Sequence, residues 1–478
     1  DKYYGTEYDF KTLVNEAHNR GIAIILDIAL NHQFGRNSLA RLYNQGDYGT
    51  PTSENPWFNT SARHDFNVGY DMNHESQYTQ DYVDRVVTYW LEEYHVDGYR
   101  YDLSKGFTQK NTLGNVGAWG QYDANRVQLL KRMADVQWSV DPDSYVILEH
   151  FAENSEEKEL AEYGMMLWGN ENHNFRNLAK GNSANLGGLS YQVKGWNVPH
   201  VVGYMESHDE ERVAWDLKNS SSQSLSQQMQ RLKLNAALFF LVPGPKMIWQ
   251  FGEFGYDEEL NNDRLGVKPT RWEYLEDPER NKLFQVYQSL IKLKTQTNYL
   301  NKDNFQWSAT GDLKWARYNN DDVKIVMMGN FSKSTQAFDQ QILQEGTWYD
   351  YLTGKEIEIG SEVAINLIAG EFRILTSEPI ENYIEDALEE EIVLANNPSQ
   401  FRDNTKIFPN PVQNQLHLES EQAIQNIFIT DLSGKSIPAR VNKSNNRYII
   451  DLSALESGIY FINYRSQNKQ RQQKIIKF

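Results

Sequence analysis

Three carboxylates frame the chemistry open to this chain. Asp102 closes the stretch GYRYD, Glu149 closes YVILE, and Asp209 follows VVGYMESH. Each stands at or just past the end of an apolar run. Arg100 lies two residues before Asp102, and His32 and His208 occupy similar places at the ends of other runs. For one such acid taken alone, a cap or a surface ion pair is the more ordinary role. Three of them, without a clustered metal motif, suit cleavage of a glycosidic bond. There one carboxylate attacks or stabilises the sugar cation, and another protonates the leaving oxygen. An arginine beside the attacking group favours its charged form, and imidazoles can hydrogen-bond sugar hydroxyls.

Such residues converge only if the elements that carry them share a mouth. Alternate side chains of a strand share a face, so Arg100 and Asp102 point the same way as Gly98, and Tyr99 and Tyr101 point away. Six apolar segments read as strands: IAIILDI, VDGYRYD, SYVILEHF, GMMLW, VVGYMES and PKMIWQF. Helical periodicity separates most of them. Residues 9–20 place Phe10, Leu13, Val14 and Ala17 on one face and stop at Gly21. Residues 80–95, 122–138 and the stretch LSQQMQRLKLNAALFFLV read as further helices. Alternating helices and buried strands predict a parallel sheet. A (β/α)8 TIM barrel is the expected α/β fold, with its chemistry at the C-terminal strand ends. A doubly wound sheet is the alternative. Residues 33–78 are polar, carry Gly, Pro, Asn and Asp throughout, and exceed an ordinary βα loop, which predicts an inserted lobe.

The rhythm changes near residue 299. Residues 1–298 form the expected barrel, and 299–378 show the short alternating segments of an all-β sandwich. Residues 379–403 read as an acidic linker, and 404–478 as a second small β-sandwich. The last module carries ten Lys/Arg against five Asp/Glu in a chain whose net charge is −18, a reversal that suggests a separate job. The overall negative charge weighs against nucleic acid and anionic membranes as partners, whereas a neutral glucan is not repelled. The chain has no cysteine, which excludes disulfides, thiolate metal sites and a Cys nucleophile. No apolar run is long enough to span a membrane.

The segments DIALNH, GYRYDLSKG, ILEHF and MESHDEER resemble, in order and spacing, four signature segments of the α-amylase superfamily of glycoside hydrolases. FNVGYDMNHES is similar to that family's additional segment, and PGPKMIWQFGE and RWEYL to stretches after its later strands. The resemblance runs to about residue 378 and implies retaining cleavage of α-1,4-glucosidic bonds in starch-like glucans. Position by position, it makes Asp102 the nucleophile, Glu149 the acid/base and Asp209 the carboxylate that stabilises the transition state. It makes Arg100 the nucleophile's partner, His32 and His208 subsite histidines, and Lys105 a contact to sugar beyond the cleavage point. It further implies a structural Ca2+ held by Asn31 and Asp71, with Gly106 where the family often has a histidine that ligates through its backbone carbonyl.

Two departures bear on specificity. Ser207 stands where many members have Asn, and DMN is closer to members of mixed specificity than to strict α-amylases. Cyclodextrin- or pullulan-cleaving activity, transglycosylation, and a non-catalytic glucan-binding role are therefore alternatives; the intact acidic trio favours the hydrolase. Members normally have two strands and their helices before the equivalent of DKYYGTEYDF. The expectation is thus a barrel without its first βα unit and second strand, the natural N-terminus and its signal peptide lying upstream of Asp1. Finally, FPNP, DLSGK, SGIYF and the Lys-rich closing strand resemble the C-terminal sorting domain of the bacterial type IX secretion system. That resemblance implies export to the cell surface or medium and a secretion-machinery partner. A sugar-binding module is the alternative for this tail.

Overall fold

The computed structural model describes residues 5–260, 264–338, 342–360, 365–381, 405–420, 424–431, 435–444, 447–466 and 469–478. Most of the expected acidic linker, from residue 382 onward, lies outside them. The chain divides into two compact units, Asp1–Glu389 and Glu390–Phe478.

In the first unit, β1 (Ile25–Ile28), β4 (Gly98–Tyr101), β5 (Tyr145–Leu148), β6 (Met166–Asn170), β7 (Val201–Tyr204) and β8 (Lys246–Met247) form one curled sheet. They neighbour one another in chain order, and every pair is parallel. All six expected strands are present. β4 and β7 are buried at every residue, as expected of strands covered on both faces. The register sets Asp27 beside Arg100, and Arg100 beside Ile147. Gly98 makes room for the neighbouring strand. Its φ is +148°, and a Cβ there would lie 2.2 Å from the Tyr145 carbonyl oxygen, so glycine permits the close approach of β5.

Helices between these strands follow the apolar spacing. Glu7–His18 is closed at its start by a capping box between Thr6 and Asp9. Gln77–Tyr94 buries Val83, Val87, Leu91 and Tyr94. Ala124–Val140 is capped by Asp123, whose carboxylate accepts from the N–H groups of Asn125 and Arg126. Leu225–Leu241 is buried throughout its second half, where the run AALFFL is apolar all round. Residues between β1 and Gln77–Tyr94 hold a two-residue ladder of β2 (His32–Gln33) with β3 (Tyr70–Asp71), the short helix Ser38–Leu42 and two isolated bridges, Asn44 with Pro51 and Phe58 with Met72.

Residues 305–376 form a six-stranded antiparallel sheet and a two-stranded one. In the second unit, residues 406–477 form two four-stranded sheets enclosing Leu416, Leu418, Ile429, Ile450 and Ile462. No helix among the described residues is long and apolar enough to cross a membrane.

Candidate active site

Arg100 organises the mouth of the sheet. Its side chain is almost wholly buried, and its Nη1 donates to Asp27 Oδ1 at 2.7 Å and to Asp102 Oδ1 at 2.8 Å. Nη2 lies 2.7 Å from Glu149 Oε2, off the angle of a hydrogen bond, so that contact is an ion pair only. One guanidinium thus touches carboxylates from the ends of three adjacent strands. The indole of Trp168 lies under it, with the guanidinium carbon 4.2 Å from the ring centre. The next residue after Asp102, Leu103, is left-handed at φ +45°, a costly conformation for a leucine. That turn aims the Leu103 N–H at Glu149 Oε2, 2.9 Å away.

The Glu149 carboxyl is raised above its ordinary value. Burial is the largest cause; the charges of Asp102 and Asp209 add to it, while Arg100 and the Leu103 N–H oppose it. A shift in that direction favours the protonated form that a general acid needs. Asp102 touches the same arginine and is more exposed than Glu149. Two carboxyls with one cation between them and different surroundings are the usual means of separating an acid from a nucleophile.

Asp209 follows β7 and pairs with Arg264, and its Oδ2 lies 3.5 Å from His208 Nε2. The His208 ring packs near Trp168 and Trp249, at centroid distances of 6.3 and 5.7 Å. His32 is buried, which lowers its pKa against the pull of Asp102. Its Nδ1 accepts from the Asn31 amide at 3.1 Å, which places the ring proton on Nε2. Lys105 reaches the Phe151 carbonyl at 2.9 Å and lies over Trp119.

Asn31, Asp71 and Gly106 also meet. Asn31 Oδ1 is 3.2 Å from His64 Nε2, which is 3.9 Å from Asp71 Oδ1. A Cβ on Gly106 would fall 1.7 Å from Asn31 Oδ1. Asp71 Oδ1 is buried without a hydrogen-bond partner, and burial raises this carboxyl to about 6. An orphaned buried carboxylate oxygen and an amide oxygen on either side of one imidazole nitrogen are oxygen donors of the kind a hard cation takes.

Trp168, Asp27, Arg264, Leu103 and His64 escaped the sequence reading as site residues. Asp27 could have been found from strand register alone, because it ends the strand beside Arg100. Arg264 lies in an irregular stretch after the last strand, where no periodicity places a side chain.

A curled parallel sheet with paired carboxyls and a shared arginine at its C-terminal end defines a barrel-type glycosidase. The profile "Alpha amylase, catalytic domain" matches residues 52–311, and this chain belongs to that family of glycoside hydrolases. The profile "Secretion system C-terminal sorting domain" matches residues 406–478, which indicates export to the surface or medium. Alpha-amylase 3 of Dictyoglomus thermophilum is 23% identical over 401 residues, covering 72% of this chain and 75% of that enzyme. Malto-oligosyltrehalose trehalohydrolase of Saccharolobus solfataricus is 36% identical over 100 residues, only 21% of this chain and 16% of that enzyme. An Anoxybacillus alpha-amylase structure superposes with a TM-score of 0.60 at 19% identity, covering 80% of this chain and 81% of the other. The type III pullulan hydrolase of Thermococcus kodakarensis gives 0.57 at 19%, covering 78% and 63%.

Proposed function

We propose that the protein is an exported, retaining hydrolase of α-1,4-glucosidic bonds in starch-like glucans. The observation that carries this reading is the single Arg100 guanidinium in contact with both Asp102 and Glu149. Asp102 attacks the anomeric carbon and displaces the leaving glucosyl oxygen, which takes the proton of Glu149. Glu149, now a carboxylate, removes a proton from water, and that water opens the glucosyl ester at the same carbon. Two inversions give net retention. Asp209 holds hydroxyls of the distorted sugar in the transition state. His32 Nε2–H and His208 bind hydroxyls at the cleavage site, and Lys105 binds sugar beyond it. Sharing one guanidinium keeps Asp102 and Glu149 close, which favours direct attack over a water placed between them.

Ca2+ is the cation we assign to Asn31, Asp71 and the Gly106 backbone. When bound, it supplies charge that neutralises Asp71 and ties residues 33–78 to the strand ends. Asn31 and Asp71 would hold it through their side-chain oxygens.

Asp102→Asn in the full chain is the deciding experiment. It is expected to abolish nearly all release of reducing ends from soluble starch while leaving the thermal midpoint close to wild type. Wild-type product should appear as the α-anomer in polarimetry or NMR. Undiminished turnover by Asp102→Asn, or a β-anomer product, would overturn the reading.

A further inference from the structure

Beneath the carboxyl pair lies a buried polar chain to which the catalytic steps above give no task. His150, directly after Glu149, is fully buried, with Nε2 2.7 Å from Glu156 Oε1 and Nδ1 2.9 Å from Ser104 Oγ. Glu156 is gripped by Arg126, whose Nε and Nη2 reach its two oxygens at 2.6 and 2.8 Å. The remaining Arg126 donors go to the carbonyls of Lys105, Trp119 and Gln121, so all five are used. Burial raises the Glu156 carboxyl, but His150 and Arg126 outweigh it and hold it at about 2. A carboxylate only accepts, so His150 carries a proton on Nε2, and the Ser104 hydroxyl stands between His150 Nδ1 at 2.9 Å and the Glu149 carbonyl at 3.0 Å, with one proton to give to either. Ser104 N–H in turn donates to the Glu149 carbonyl at 3.0 Å.

The segment Leu103–Ser104 therefore holds Glu149 by its side chain, through Leu103 N–H, and by its main chain, through Ser104 N–H with the Ser104 hydroxyl beside it. It also follows Asp102 directly. We propose that Ser104, His150, Glu156 and Arg126 are positioning residues, which fix the acid/base Glu149 relative to the nucleophile Asp102. Arg126 locks Glu156, Glu156 locks the ring of His150, and the ring locks Ser104. The assembly is buried and each of its polar groups has a partner, which favours one geometry over several. This inference rests on the roles given above to Asp102 and Glu149.

The test uses Ser104→Ala and His150→Phe in the full chain, with Glu149→Gln beside them. Loosening Leu103–Ser104 weakens the N–H bond that lowers the Glu149 pKa, so the alkaline limb of the kcat/KM profile should move to higher pH. Turnover should fall about tenfold in Ser104→Ala while KM stays within about twofold. His150→Gln, which keeps a donor toward Glu156, should recover part of the loss seen in His150→Phe. Ser104→Cys gives the same readout if the alanine variant does not fold. A folded Ser104 variant that loses only thermal stability, with kcat and the alkaline limb unmoved, overturns the positioning role and leaves the acid/base reading intact. Full activity in Glu149→Gln would overturn that reading instead, and the positioning role with it.

Discussion

At the scale of single residues, Arg100 carries the most. Asp27, Asp102 and Glu149 would lose their shared cation without it, and only a guanidinium presents several N–H groups in a fixed plane to several acids at once. Lysine offers one compact charge, so Arg100→Lys can serve one carboxylate well and must neglect the others. It would also leave Trp168 without the flat cation that now lies over it. Two charge-assisted contacts weakened at the reacting centre predict a loss in kcat of about a hundredfold. Arg100 also lowers the Glu149 pKa, so its removal should carry the alkaline limb of the rate profile upward. Steady-state kinetics across pH measure both effects. An Arg100→Lys enzyme with unchanged kcat and an unmoved limb would show that the acids do not depend on this cation.

At the scale of elements, the strands were legible and the turns beyond them were not. Strand signals are local: GYRY and VVGY are apolar and β-branched or aromatic enough to announce burial on both faces. The meeting of Asp102 and Glu149 at Arg100 was legible because strand ends collect in one place in a parallel sheet, so order along the chain stood in for geometry. Leu103 shows the limit. Nothing in the type leucine announces φ +45°, since the conformation is imposed by the hydrogen bonds around it. His64 likewise reads as an ordinary polar residue of the lobe, and only tertiary packing sets it against Asn31 and Gly106. Gly106→Ala probes that packing. Its Cβ would collide with Asn31 Oδ1, and Asn31 also orients His32 through its amide. The variant should lose about 1–3 kcal/mol of stability. Calorimetry should also show that Ca2+ raises the thermal midpoint of the wild type and that chelator lowers it, while the variant responds to neither. A wild-type midpoint indifferent to both would remove calcium from this site.

At the scale of the first unit, helices of the barrel and strands of the antiparallel sheet share one core. Leu238, Phe239, Phe240 and Leu241 pack in the same cluster as Tyr318, Ile325, Met327 and Ile374, and Tyr318 donates to the Leu241 carbonyl at 2.5 Å. Lys314 joins the two parts with a buried ammonium whose three protons meet the carbonyls of Ala184, Ala309 and Gly311 at 2.8, 3.0 and 2.7 Å. Two effects compete in Lys314→Met. Burial lowers the Lys314 pKa from 10.5 to about 8, so removing the charge relieves a penalty. At about 1.4 kcal/mol per pH unit, that relief is about 3 kcal/mol. Against it, three buried carbonyls lose their donor, at about 1–3 kcal/mol each. The second effect is larger, and the net expectation is a loss of about 3 kcal/mol. Because the core is shared, residues of the barrel and of the antiparallel sheet should unfold together. Calorimetry of Lys314→Met should therefore show one transition for this unit, moved to lower temperature. A split into two transitions would mean that the sheet is coupled to the barrel mainly through this ammonium, and an unchanged midpoint would mean that water replaces it without loss.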